Sequence, residues 1–530
     1  MKRKSEIVLM AASVLVGCLM GSARAASAGV GHSSVVVKAT YHDVSPPLRE
    51  MAAGEGSVPE AALSGNQSAS GATTPNSATS NPKLSFPDPV FQSTAGPVVG
   101  ATLGLSFAGI AASTGNMPAF PNANIAVGAT QVVEFVEYEY QVFDKTTGAS
   151  VLGPAGIYTI WKGFPQPCGV HLGLDVSVKY DQMAGVWVLS GRAQVPEDIE
   201  CVAVSTSSDA TGSYYRYSFT FSSTNSGSHT AMGVWPDAYY YASNTKSTTG
   251  GAGLACALDR ANMLIGAAAT AQCFSTSSSK YEYLLPSDLD GATLPPSGSP
   301  NYFLNLGGTA LNLWQFHVDF QTPTNSTFTG PTAIKVASFQ KACSGNGGIC
   351  IPQLGTTQTL TALTTGLMYR FAYRNYGTYE SLVVSHSVNP PTEAYSGIRW
   401  YEIRSPGTTP VIYQEATYSP DANSRWASSM AEDKVGDIAL GYSVSSSTMY
   451  PSISYTGRVP TDLLGTLETE DSILTGTGAQ LPQNTQWGNY TTLAIDPSDD
   501  CTFWYTNEYY ATSGSDWSTW IASFKFASCQ

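Results

Sequence analysis

The stretch VGATQVVEFVEYEYQVFDKTTG (127–148) decides the fold. A strand-like run breaks at a short turn and a second such run follows at once, both rich in Val, Phe and Tyr. The same pattern, with Trp added and turns at Gly, Asn or Asp, returns in DVSVKYDQMAGVWVLSG (175–191) and MGVWPDAYYYASN (232–244). It recurs again in LMYRFAYRNYGTYESLVVSHSVN (367–389), AEDKVGDIALGYSVSSS (431–447) and NYTTLAIDPSDDCTFWYTNEYY (489–510). Short strands, tight turns and degenerate repetition at blade-sized intervals predict an all-β fold, a β-propeller. Blades are expected near 97–165, 170–222, 229–283, 300–345, 366–418, 426–476 and 487–526. That gives seven blades, with six as the alternative because the fourth is poorly marked. Either VVGATLGLSFAGI (98–110) or WIASFKF (520–526) is expected to close the ring by completing a sheet from the other terminus. Helix signals are few; ACALDRANMLIGAAATAQC (255–273) reads as a short helix or as a strand pair closed by a disulfide.

Residues 1–25 read as an export signal, with a basic start (Lys2, Arg3, Lys4), an apolar run from Ile7 to Met20 and an Ala23-Arg24-Ala25 cleavage site. That run is too short to span a bilayer, and no later segment is long and apolar enough. Leu15-Val16-Gly17-Cys18 is similar to a lipobox, so the expected destination is secreted, extracellular or periplasmic, with a lipid anchor at Cys18 as the rival. Residues 26–85 form an N-terminal segment and a linker, whose tract 62–83 is almost pure Ser, Thr, Ala, Gly, Asn and Pro. From 86 to 530 the composition is uniform, which predicts one propeller domain acting as a monomer.

Nine cysteines become eight once Cys18 is removed or lipidated, and an even count in an exported chain reads as disulfides. Proximity pairs Cys168 with Cys201, Cys256 with Cys273, Cys343 with Cys350 and Cys501 with Cys529, each within a blade or loop. Removing the signal leaves 21 basic and 38 acidic residues, a net charge of −17. That balance excludes non-specific nucleic-acid binding. Abundant Tyr and Trp suit a sugar-lined site, so the expected partner is a polysaccharide or glycoconjugate.

Period-two alternation places Arg370 and Arg374 on one strand face, opposite Tyr369, Phe371 and Tyr373. On an innermost strand they would face the channel and hold a carboxylate or sulfate, or else neutralise neighbouring acids. In LNLWQFHVDF (311–320), His317 and Asp319 share a face and read as an acid–base pair or a solvated edge. Asp237 follows Trp235-Pro236 and precedes three tyrosines; it would orient or protonate a sugar stacked on Trp235 or Tyr239, or cap a turn. His171 and Asp175 share a strand face as a further ligand pair. Glycoside hydrolysis needs two carboxylates across the bond, and Asp175, Asp237, Asp319, Glu380 and Glu402 are the candidates. Arg370, Arg399, Arg404 and Arg458 with Tyr401-Glu402 supply the residue types of an acidic-sugar site. Asp496, Asp499 and Asp500 bunch in one turn, which reads as a solvated turn or a calcium ligand set; no other cofactor or metal is expected. H-E-x-x-H, P-loop, dinucleotide and G-x-S-x-G signatures do not occur.

DVSPPLRE (43–50), GVWPDAYY (233–240), LNLWQFHVDF (311–320) and MYRFAYRNYGTYESLVVSHSV (368–388) resemble a widespread family of mostly uncharacterised secreted bacterial proteins. GIRWYEIRSPG (397–407), YPSISYTGR (450–458) and DPSDDCTFWYTNEYY (496–510) extend the resemblance over most of the mature chain. It implies a sialidase- or BNR-like propeller and carries no established activity. Ser419-Pro420-Asp421-Ala422-Asn423-Ser424-Arg425-Trp426 is similar to the Asp-box, with Asn423 in the glycine position. The resemblance implies a structural turn between outer strands there, with Asn423 left-handed. Two functional expectations follow. One is a glycan-engaging protein, a hydrolase or lyase on an acidic polysaccharide; the other is a non-catalytic adhesion or protein-interaction module.

Overall fold

The computed structural model describes residues 34–53, 87–112 and 120–530, except 166, 195–197, 223–227, 248–249, 277, 345–346, 393 and 482–484. The expected signal, Cys18 and the tract 62–83 lie outside the described residues. Six successive four-stranded antiparallel units run through the chain. Unit one holds Asn124–Val127, Gln131–Val136, Glu139–Asp144 and Ser150–Gly156; unit two holds Leu172–Asp181, Val186–Gln194, Asp198–Ser205 and Tyr214–Ser222. Unit three holds Ser228–Val234, Tyr239–Ser247, Gly250–Leu258 and Thr270–Ser275; unit four holds Leu285–Asp290, Asn301–Leu306, Ala310–His317 and Thr327–Lys335. Unit five holds Phe371–Asn375, Glu380–Val388, Gly397–Arg404 and Val411–Tyr418; unit six holds Ser424–Glu432, Ile438–Ser446, Met449–Arg458 and Asp471–Leu474. A seventh sheet joins Thr492–Ile495, Phe503–Tyr509 and Ser518–Phe526 to Ala101–Ala111 from the start of the domain.

The first strand of each unit touches the first strand of the next, and Thr492–Ile495 touches Asn124–Val127, so the first strands form a closed ring. The chain is an all-β propeller. Ala101–Ala111 closes it as the outermost strand of the last sheet, pairing antiparallel with Ser518–Phe526. That strand is therefore not part of the first blade, which begins at Asn124, and the fourth unit begins at Leu285 rather than near 300. Units four and five are zipped directly, since Ser287–Asp290 pairs in parallel with Phe371–Arg374.

Packing follows from alternation on strands buried on both faces. Trp187, Trp235, Trp400, Trp426, Trp487 and Trp517 are fully buried, and the apolar clusters lie between neighbouring units. All four cysteine pairs form: Cys168–Cys201, Cys256–Cys273, Cys343–Cys350 and Cys501–Cys529. Both readings of 255–273 hold in part, because Cys256 and Cys273 sit opposite each other on paired strands and the intervening loop carries a helical turn, Arg260–Met263.

Two features depart from the sequence reading. Residues 35–51 are part of the ring: Val35–Lys38 adds to the outer edge of unit three, Tyr41–Val44 to that of unit two, and Leu48 and Met51 are buried. The Asp-box-like stretch joins the last strand of unit five to the first strand of unit six and does not turn between outer strands. Asn423 is not left-handed there. Its amide donates to Asp421 Oδ1 at 2.7 Å, and Arg425 grips the same carboxylate, which fixes the turn without a left-handed residue.

Candidate functional site

The ring axis is filled with charge that the chain itself neutralises. Arg370 Nε donates to Asp288 Oδ2 at 2.7 Å, a second nitrogen donates to Asp290, and a third to the Leu493 carbonyl at 3.2 Å. Lys179 Nζ donates to the same Asp288 oxygen at 2.7 Å. Burial alone would raise Asp288, yet Lys179 and Arg370 bring it down to about 2. Arg374 holds Asp500 through two nitrogens, at 2.6 and 2.9 Å, and donates to the Glu432 carbonyl. Gly291, at φ +77°, makes room for this, because a Cβ there would meet Arg374 Nη1 at 2.4 Å. Arg374 lies on the innermost strand Phe371–Asn375 and Arg370 immediately precedes it, but buried at 3% and 5% exposure they offer no free guanidinium to a ligand.

An open cleft lies where the first strands begin. His229, Tyr283, Leu363, Thr365 and Asn489 form its rim, while Met368, Tyr369 and Tyr490 lie deeper. His229 and Tyr283 pack edge-to-face at 4.7 Å, and Tyr369 and Tyr490 do so at 5.6 Å. Tyr369 also shares a hydrogen bond with Ser177 and carries Lys179 over its ring at 4.6 Å. Beneath the cleft, Asp175 gathers neighbours from three other parts of the ring. Tyr490 donates its hydroxyl to Oδ1 at 3.1 Å, the His229 amide donates to Oδ2 at 3.1 Å, and Thr230 Oγ1 donates to the Asp175 carbonyl. Arg192 pairs with Oδ2 at 3.2 Å. Against Asp175 stands Glu137, from the turn between the second and third strands of unit one, receiving Asn122 Nδ2. Burial, then the Asp175 charge, pushes the Glu137 carboxyl well above the usual range.

The backbone around this cleft is unusual. Asn122, Asp175, His229, Tyr283 and Leu363 all take left-handed φ, between 48° and 59°, although none is glycine. Such conformations cost free energy and persist where surrounding contacts over-determine them; they gather at functional sites.

The other candidates lie elsewhere. Trp235 is buried against Tyr373 at 4.7 Å, and Tyr239 donates to Asp181, so neither ring faces a sugar. Asp237 is exposed on the turn after the first strand of unit three, where desolvation of its carboxyl by its neighbours raises it to about 6 against the opposing Tyr240 hydroxyl bond. His317 ends the third strand of unit four, and Asp319 caps the following turn, accepting the Gln321 and Thr322 amides. Glu402 is buried and held by Arg404 Nε and Gln414 Nε2, both at 2.5 Å. Arg399, fully buried, ties Asp88, Glu415 and Thr417 together. His171 ends the helical turn Cys168–His171, and its side chain lies outside the described residues.

The acidic turn disperses its carboxylates: Asp496 takes Lys145, Asp499 takes Lys525 with the Cys501 and Thr502 amides, and Asp500 takes Arg374. Among the described residues no group of three or more His, Cys, Asp or Glu is arranged to hold a metal. Of the sequence candidates, Asp175 bonds two residues of the cleft, His229 and Tyr490. Sequence reasoning missed His229, Tyr283, Tyr369, Tyr490 and Glu137; the last four precede a strand or sit in a turn, where period-two alternation carries no signal, and His229 lies at the very start of the strand Ser228–Val234.

No protein-family model matches the chain, and no curated protein matches it. Among solved structures it is similar to a Trypanosoma rangeli sialidase in complex with sialic acid, at 10% identity and TM-score 0.35, covering 67% of this chain and 54% of that one. Drosophila Plexin A in complex with Semaphorin 1b gives 8% identity and TM-score 0.34, covering 83% and 89%. A Dyadobacter fermentans protein of unknown function gives 11% identity and TM-score 0.28, covering 67% and 95%. At such TM-scores these likenesses carry no argument, and the fold rests on the strand pairing.

No described helix is long and apolar enough to cross a membrane.

Proposed function

We propose that this chain is an exported seven-bladed propeller that binds a neutral extracellular glycan in the cleft at the start of the first strands. The observation that carries this reading is the cleft itself: an aromatic rim of Tyr283 and His229 over a floor of Tyr369, Tyr490 and Met368, anchored by Asp175. Aromatic faces with hydroxyls and amides beside them suit sugar rings. The acidic-sugar expectation needed free arginines, and Arg370 and Arg374 are spent on Asp288, Asp290 and Asp500. Binding is favoured over cleavage because hydrolysis requires two carboxylates that reach the substrate. Asp175 nears the cleft with a side chain 15% exposed, whereas Glu137 is only 1% exposed.

The test is a panel of plant, fungal and bacterial polysaccharides offered to the mature protein, reading retention and release of reducing or unsaturated ends. The reading expects retention without release, lost in Tyr283→Ala. Release of sugar ends would restore the hydrolase or lyase. A protein-interaction reading rests on another surface, where Arg404 lies 3.3 Å from the ring of Tyr413 and 4.0 Å from that of Tyr379. Exposed Leu463 and Leu464 precede Gly465, which bonds Gln414 beside Tyr413. No retention across the panel would turn attention to that surface.

A further inference from the structure

Beneath the cleft a buried glutamate, Glu137, is set against the carboxylate of Asp175. Asp175 belongs to the first strand of unit two and Glu137 to a turn of unit one, and Glu137 is almost without solvent. The groups facing Glu137 can be named from each side. Unit one's approach contributes Asn122, which donates to one oxygen; the other oxygen, Oε2, has no hydrogen-bond partner among the described residues. Unit two contributes Asp175, its charge and its backbone amide, together with Arg192. The segment before the seventh sheet contributes Tyr490. Among the described residues Arg192 is the single cation of this group, and it is shared, lying 3.2 Å from Asp175 and 3.9 Å from Asp198 with Glu200 beyond. One guanidinium therefore serves Asp175, Asp198 and Glu200 before Glu137 makes any claim on it.

We propose that a proton on Glu137 holds the cleft together, and that its loss loosens the Asp175 contacts forming the cleft floor and rim. With Glu137 neutral, Asp175 keeps Arg192 and receives Tyr490 and the His229 amide. When Glu137 releases its proton to solvent, a second negative charge appears beside Asp175 in a site of low dielectric constant. The relief open to Asp175 is to move away from Glu137. That movement lengthens the bonds to the Tyr490 hydroxyl and to the amide of His229, a residue of left-handed backbone. This inference rests on the cleft being the binding site only for its consequence, that glycan is held at acid pH and released as pH rises.

The test uses no glycan, so its failure is distinguishable from failure of the binding reading. Hydrogen exchange of the full mature chain is followed by mass spectrometry from about pH 5 to about pH 8, corrected for intrinsic rates, in wild type and Glu137→Gln. Glutamine keeps the shape and cannot titrate. Wild type is expected to lose about tenfold in protection per pH unit across the transition in peptides containing 228–231 and 489–490, and Glu137→Gln to show a flat profile. Asp175→Asn removes the other charge and is expected to flatten the profile as well, which keeps the test available if the first variant does not fold. Identical pH profiles in wild type and whichever variant folds, or a flat wild-type profile, would overturn the proposal.

Discussion

Arg370 carries the lesson at the scale of single residues. Its place beside an innermost strand was legible, though it precedes Phe371–Asn375 rather than belonging to it, but its partners were not, because Asp288 and Asp290 reach it from a different unit. Removing one partner of a buried ion pair leaves the others uncompensated. Arg370→Ala is therefore expected to destabilise the fold by about 3–5 kcal/mol, read from denaturant unfolding, through the stranded charges of Asp288 and Asp290. A loss of glycan retention with unchanged stability would contradict that assignment. At the cleft, Tyr490→Phe removes only the hydroxyl that meets Asp175 and is expected to cost about 1 kcal/mol. Asp319→Ala, on an outer turn, is expected to leave retention unchanged.

At the scale of elements, strands and disulfides were legible while their assignment to sheets was harder. Short aromatic runs between turns marked the strands, and proximity sufficed for cysteines that close loops or neighbouring strands. The pairing of the arm at 35–51 was not legible because its partners lie far along the chain, at Thr270–Ser275 and Tyr214–Ser222. Leu48 is 1% exposed in the cluster that contains Trp161 and Phe164, so Leu48→Ala is expected to cost about 2–4 kcal/mol, read as a lowered unfolding midpoint. The closing strand Ala101–Ala111 holds the two ends of the ring together through Ser518–Phe526. A chain beginning after residue 112 is expected to populate an opened, protease-sensitive ring, which limited proteolysis would detect.

For the whole molecule, repetition announced the propeller, whereas the candidate cleft is lined largely by segments between strands that repetition does not describe. The interior has a further property of its own: among the described residues sixteen acids are buried against eight lysines and arginines. Burial raises Glu134 to about 7, Glu200 and Glu432 to about 8 and Asp433 to about 7. Folded values above the ordinary ones favour the folded state at low pH, and that contribution is lost as pH rises through about 7–8. Asp288, lowered to about 2, acts oppositely, its contribution being lost as pH falls through that value. The unfolding midpoint is thus expected to be higher at about pH 5 than at about pH 9, as a thermal scan would show. The most direct measurement of the central claim is a protection map of the mature chain with a retained oligosaccharide. Binding in the cleft predicts slowed exchange in peptides containing 228–231, 283–285, 363–369 and 489–490, abolished in Tyr283→Ala. Protection confined to 404–414 and 463–465, or retention untouched by Tyr283→Ala, would contradict it.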